Sequence, residues 1–180
     1  AYHFRNFAIT YPNSDRAEEV SFMNAYCYYL ESPSYSLDVS NTIKAINELQ
    51  YFIDVYPTSE RLAECNQLID QLRQKLEKKS FKLAKLYFDT DNYKSAIVSL
   101  KNVLMDFPDT DYSEEIYFLI LESNHLYASK SVLSKQKERC NDTISAYHQF
   151  VDKFPNSKRL KEAENIYNNA TKQLEKLNQS

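Results

Sequence analysis

Metal or nucleophilic chemistry in this chain would fall to three histidines, His3, His125 and His148, and three cysteines, Cys27, Cys65 and Cys140. Their spacing supports neither. No histidine lies at ligand spacing from another histidine or a cysteine, and three distant thiols make no metal pair and no disulfide framework. There is no nucleophile motif, no His-Glu-x-x-His and no acidic loop with calcium-ligand spacing. The chain has no glycine, which removes phosphate loops and dinucleotide fingerprints together, because both need glycine backbones against the phosphates. Single cysteines in helical patterns read as small packing residues. The residues therefore point to no catalytic group, no cofactor and no metal.

Surface charge and aromatic rings remain as the means of doing anything. Arg73, Lys75, Lys78, Lys79, Lys82 and Lys85 surround a single acid, Glu77, and Lys75, Lys78, Lys82 and Lys85 share one helical stripe. Such a stripe is either a solvated face or a site for an acidic partner. Asp106, Asp109, Asp111, Glu114 and Glu115 cluster with no base among them. Acids at a helix start favour its dipole, and a basic partner would use the same charge. Tyr29, Tyr35, Phe88, Tyr112, Tyr117 and Phe118 are the rings least fixed by the packing pattern described next, and some would line a groove for an extended peptide. The candidate partner-binding residues are thus Tyr29, Tyr35, Lys75, Lys78, Lys82, Lys85, Asp109, Asp111, Tyr112 and Glu114. A net charge of −3 over 180 residues gives no reason to expect nucleic acid or an anionic membrane surface. No stretch approaches the roughly 20 apolar residues of a membrane-spanning helix.

The elements that would hold these residues come from a repeat. Four segments end alike: Phe7 to Tyr11-Pro12-Asn13-Ser14, Phe52 to Tyr56-Pro57-Thr58-Ser59, Val103 to Phe107-Pro108-Asp109-Thr110, and Phe150 to Phe154-Pro155-Asn156-Ser157. Proline stops a helix and pushes the residue before it out of the helical region. The Ser or Thr two residues later is expected to cap the next helix. The large apolar residue four before the aromatic shares its face. Twelve residues before three of the prolines lie Ala45, Ala96 and Thr143, small enough for close helix approach. Ala84-x-x-Tyr87, Tyr93, Ala96, Leu100 and Pro108 fall at tetratricopeptide spacings. Ala25-x-x-Tyr28 and Asn124-x-x-Tyr127 mark the same place in two other units. The expected fold is an all-α tetratricopeptide-repeat solenoid of antiparallel helix pairs.

The prolines are 45, 51 and 47 residues apart, more than the roughly 34 of the ordinary repeat. Two excesses are expected as loop insertions, at Ser32–Asp38 and at Ser129–Gln136. The third, with no Pro or Gly from Ser59 to Phe88, is expected as one long helix. The chain then divides as a single repeat domain: 1–12, second helix of a truncated repeat; 14–57, repeat with loop insertion; 59–108, repeat with a long first helix; 110–155, repeat with loop insertion; 157–177, capping helix. Leu160, Ala163, Tyr167, Ala170, Leu174 and Leu177 give that last helix its apolar stripe. The incomplete first repeat leads to the expectation of at least one further helix before Ala1.

Gln71-Leu72-Arg73-x-x-Leu76, Phe81-x-x-Ala84-x-x-Tyr87, Tyr93-x-x-Ala96-Ile97 and Asp106-Phe107-Pro108-Asp109-Thr110 together resemble the outer-membrane assembly lipoprotein family known as BamD, YfiO or ComL. Tyr29-Leu30-x-Ser32-Pro33-x-Tyr35-x-Leu37-Asp38 and Phe154-Pro155-Asn156-Ser157 look like the version found in Bacteroidetes-type bacteria. The resemblance covers nearly all the chain. It implies a lipoprotein on the periplasmic face of the outer membrane, anchored by a lipid that this sequence does not carry. It also implies two partners, the BamA-type barrel-assembly protein and unfolded outer-membrane proteins. The first cysteine, Cys27, lies inside a helical pattern and is not the family's lipid-bearing residue. Another periplasmic repeat scaffold, a secretin pilotin or a cell-division coordinator, is the alternative. A cytosolic chaperone adaptor is disfavoured, because Phe22 and Tyr26, or Phe81 and Lys85, stand where its Lys and Asn clamp would be.

Overall fold

A computed structural model of the chain describes residues 2–11 and 13–179. Every regular element among them is an α-helix: α1 (Tyr2–Thr10), α2 (Ala17–Glu31), α3 (Ser40–Val55), α4 (Leu62–Asp89), α5 (Tyr93–Asp106), α6 (Ser113–Ser129), α7 (Leu133–Lys153) and α8 (Leu160–Gln179). The fold is the all-α tetratricopeptide-type array of helix pairs that the repeat requires.

The aromatic-proline segments explain where helices stop. Tyr56, Phe107 and Phe154 each end a helix at φ −121°, −134° and −129°, and each still donates its N–H to the carbonyl four residues back. A tight turn follows, closed by Ser59 N–H to Tyr56 O, Thr110 to Phe107 and Ser157 to Phe154 at 3.0–3.2 Å. Proline sits at the second position of that turn, where its fixed φ fits. Tyr11 donates to Phe7 O in the same way, while Pro12 lies outside the described residues.

The Ser or Thr does not cap the helix directly. Ser14, Ser59, Thr110 and Ser157 each accept, through the side-chain oxygen, the N–H two residues on, at 3.3, 3.1, 3.1 and 3.0 Å. They hold the turn leading into the helix. The N-cap positions of α2 and α6 are Arg16 and Tyr112, neither with a side-chain cap.

The chain forms two compact units, Ala1–Lys79 and Ser80–Ser180. In the first, Phe22 and Ala25 of α2, Ala45, Leu49 and Phe52 of α3, and Cys65, Leu68 and Leu72 of α4 make one buried core. In the second, Phe81 and Ala84 of α4 join Ala96, Leu100 and Val103 of α5, a wholly buried stretch of α6, and Ala146, Phe150 and Ala163. The small residues do the work their spacing implies: Ala45, Ala96 and Thr143 are completely buried. The α8 stripe faces its own chain, with Ala163 and Ala170 buried and Tyr167 stacked on Tyr147 at 4.6 Å. Helix α8 therefore packs onto the second unit through that stripe.

The insertion at Ser32–Asp38 is non-helical, as expected. The one at Ser129–Gln136 is not a loop. Helix α6 runs through Ser129 and α7 begins at Leu133, so only Lys130–Val132 lie between them. Leu133, Lys135, Gln136 and Lys137 are good helix formers, and the surplus is wound into helix.

Candidate partner-binding surfaces

The basic stripe is largely occupied by the chain itself. In the first unit Lys75 Nζ donates to Ser32 O (3.3 Å) and Ser32 Oγ (3.1 Å). Lys78 Nζ lies 4.7 Å from the centre of the Tyr35 ring, and Lys79 Nζ donates to Leu37 O. Tyr29 OH donates to Gln71 Oε1 at 2.6 Å. Ser32 is the C-cap of α2, so Lys75 also meets the negative end of that helix. The extra turns of α4 thus receive the inserted loop: two departures from repeat length visible in the sequence are one structural feature. Tyr29, Tyr35, Lys75 and Lys78 come together, but to strap a loop, not to leave a free face. In the second unit Lys85 pairs with Asp89 (3.9 Å) and Glu115 (3.7 Å), while Lys82 remains exposed.

The acidic cluster is divided as well. Glu114 accepts from Ser157 Oγ at 2.6 Å. Tyr112 lies flat on Phe81, with ring centres 4.3 Å apart and planes at 10°. Asp106, Asp109 and Asp111 stay exposed.

Tyr112 belongs to a recurring junction that sequence reasoning missed. Two residues after Ser59, Thr110 and Ser157 stands a planar group that covers a phenylalanine from the preceding pair. Arg61 lies 4.3 Å from the Phe22 ring centre, Tyr112 covers Phe81, and Arg159 lies 4.4 Å from Phe118. Ser59 Oγ donates to Glu18 as Ser157 does to Glu114, both at 2.6 Å. The signal was present as Glu18-x-x-x-Phe22, Glu77-x-x-x-Phe81 and Glu114-x-x-x-Phe118. This register corrects the reading of α6. Leu121, not Asn124, matches Ala25 and Ala84, and Asn124 stands where the other pairs have Tyr28 and Tyr87.

The chemistry-bearing residues do not converge. Among the described residues no group of three His, Cys, Asp or Glu could hold a metal ion. Burial pushes the Cys65 thiol up to about 11 and raises Cys140, the opposite of what a reactive thiol needs. Burial lowers His125 and raises Glu122, with Glu162 adding to the rise. His148 lies edge-on to Tyr147 and Tyr167.

The model of the YfiO family, described as outer membrane lipoprotein, matches residues 2–138. The outer membrane protein assembly factor BamD of Caulobacter vibrioides (strain ATCC 19089 / CIP 103742 / CB 15) is 23% identical over 117 residues, which are 65% of this chain and 38% of that protein. The chain spans well under half the length of that curated relative. With a family match running from α1 into α7 and through most of both cores, the chain belongs to the YfiO family of outer membrane lipoproteins.

Proposed function

We propose that the protein is a binding scaffold in the machinery that assembles β-barrel proteins in the outer membrane. A lipid anchor on a part of the protein outside these residues holds it at the periplasmic face. Its partners are a barrel-assembly protein of the BamA type and unfolded outer-membrane proteins. It carries out no reaction and needs no cofactor. The observation that carries this reading is the family match over residues 2–138, supported by the likeness to a protein named as an assembly factor. The scattered histidines and the raised thiols agree with a protein that works by shape and charge. Of the candidate contact residues, Lys82, Asp109 and Asp111 are exposed charges, whereas Lys75, Lys78, Lys85 and Glu114 are engaged by the chain itself, so a partner would meet the first three first. The test is mild-detergent purification of the tagged full-length protein from its native membranes. A BamA-type barrel is expected to co-purify, and depletion of the protein is expected to lower the folded barrel proteins of the outer membrane. A clean absence of any such barrel, with barrel levels unchanged on depletion, would sink the proposal.

A further inference from the structure

The register set by the phenylalanine junctions puts a short side chain in a place built for a ring. Tyr28 packs beside Lys44, with the ammonium 5.9 Å from the ring centre, and Tyr87 lies beside Ser95. At the matching place in the second unit Asn124 faces Asp142 across a groove of about 250 Å³. One wall is α5, with Lys94, Val98 and Lys101; the other is α7, with Asp142; the floor is α6, with Asn124 and Tyr127.

Four properties make this a built site. Asn124 is 8% exposed and donates through Nδ2 to Ile120 O at 2.8 Å, which leaves its Oδ1 as an acceptor at the floor. Val98 is 53% exposed and stands between this groove and a second hollow of about 390 Å³, an apolar ridge open to a ligand. Lys94 and Lys101 line one wall without an ion pair among the described residues. Arg139 fixes Tyr127, lying 3.7 Å from its ring centre and donating to its hydroxyl at 2.8 Å, so that end of the groove is rigid.

Spacing and the two lysines of the α5 wall select the occupant, and Asp142 on the α7 wall requires that its acidic side chains lie along α5, away from that carboxylate. Lys101 follows Lys94 by seven helical steps, about 10.5 Å along α5. A polyproline-type peptide advances ~3.1 Å per residue and returns to the same face every third residue. Acidic residues at i and i+3 of such a peptide stand roughly 9 Å apart on one side, matched to the two ammonium groups. A small apolar residue between them covers Val98, and one backbone N–H reaches Asn124 Oδ1. We propose that this groove binds an extended, acidic segment of a partner protein, of the pattern acid-x-x-acid. The proposal rests on the groove alone and holds whichever machine the scaffold serves.

The probe is the peptide acetyl-Glu-Pro-Val-Glu-amide, titrated into ¹⁵N-labelled protein, with acetyl-Gln-Pro-Val-Gln-amide as control. Saturable amide shifts are expected at Val98, Asn124 and the facing turn of α7 with the acidic peptide and not with the neutral one. Lys94→Gln together with Lys101→Gln should weaken binding about fivefold, since exposed lysine–carboxylate pairs are individually modest. Asn124→Tyr restores the residue that two other pairs carry, so the fold should tolerate it, and it should abolish the shifts by filling the groove. Equal binding of the neutral peptide, shifts confined to other surfaces, or unaltered binding by Asn124→Tyr would each overturn the proposal. So would the same shifts on concentrating the protein alone, which would give the groove to a second copy.

Discussion

Ser32–Asp38 in the first unit and Lys130–Val132 in the second both join the two helices of a pair, yet they are fastened differently. The first is a true loop. Pro33 and the serines at 32, 34 and 36 favour local turns over helix, and its carbonyls must find donors elsewhere. They find them on another element, at Lys75 and Lys79 of α4. The second unit puts its surplus into helix, where the backbone satisfies itself. Only a short turn is left, and its fasteners are local: Arg139 donates to Ser131 Oγ and Tyr127 OH, and Gln136 Nε2 to Ser131 O at 2.8 Å. Extra length kept as loop needs a distant helix to hold it, and extra length wound into helix does not.

The largest test of that difference is a helix breaker against an insertion. Lys137→Pro removes a backbone bond in the second turn of α7 and should cost about 3 kcal/mol. Inserting two glycines between Pro33 and Ser34 lengthens the loop ahead of its backbone turn, from Ser34 to Leu37, and should cost less than about 1 kcal/mol. Urea unfolding measures both. If the α7 substitution is as mild as the insertion, those first turns of α7 do not behave as helix and the comparison fails.

Much of this was legible before the structure. The aromatic-proline ends, the small residues at Ala45 and Ala96, the long fourth helix and the α8 stripe all follow from local rules that tertiary contacts did not overturn. The misses have three causes. Length alone predicts a loop at Ser129–Gln136, although Leu133, Lys135 and Gln136 favour helix and Lys135 pairs with Glu138 at 3.2 Å one turn on. The lysine stripe reads as open surface because charge patterning gives the face of a helix and not what lies on that face. Which loop would fold back on Lys75 and Lys79 depends on contacts about 40 residues apart in sequence, which no local pattern encodes. The junction of Arg61, Tyr112 and Arg159 escaped because an arginine and a tyrosine do the same planar covering, so identity was hidden by chemistry.

A smaller effect separates the fasteners themselves. Lys75→Met keeps the aliphatic stem and removes the donors to Ser32, at a cost of about 1 kcal/mol. Hydrogen exchange should rise at Leu37, whose N–H bonds to Ser34 O, and stay unchanged in α6 and α7. Arg139→Met should do the reverse, loosening the N–H of Lys130 and Ser131 while the first unit keeps its protection. Equal loosening of both regions by either variant would mean that the two fasteners are not local to their units.

The smallest expected effect is in acid, and it belongs to the second unit alone. His125 has its proton affinity lowered by burial, so the unfolded chain binds that proton more readily. Its contribution is therefore fully present above its ordinary value near 6.5 and is lost as pH falls below it. Glu122 has the opposite sign. Burial raises it from 4.5, so its ionised form is disfavoured in the fold and acidification relieves that strain. As pH falls the two act in opposite directions. His125→Gln should remove the acid-side loss and leave a protein whose melting midpoint holds or rises as pH falls, by under about 3 °C. Glu122→Gln should steepen the loss by a similar amount. A His125→Gln variant whose midpoint falls with pH as the parent's does would show that the imidazole is already open to water, and that the α6 core around it is looser than the burial of Ile116 and of Phe118 through Leu121 implies.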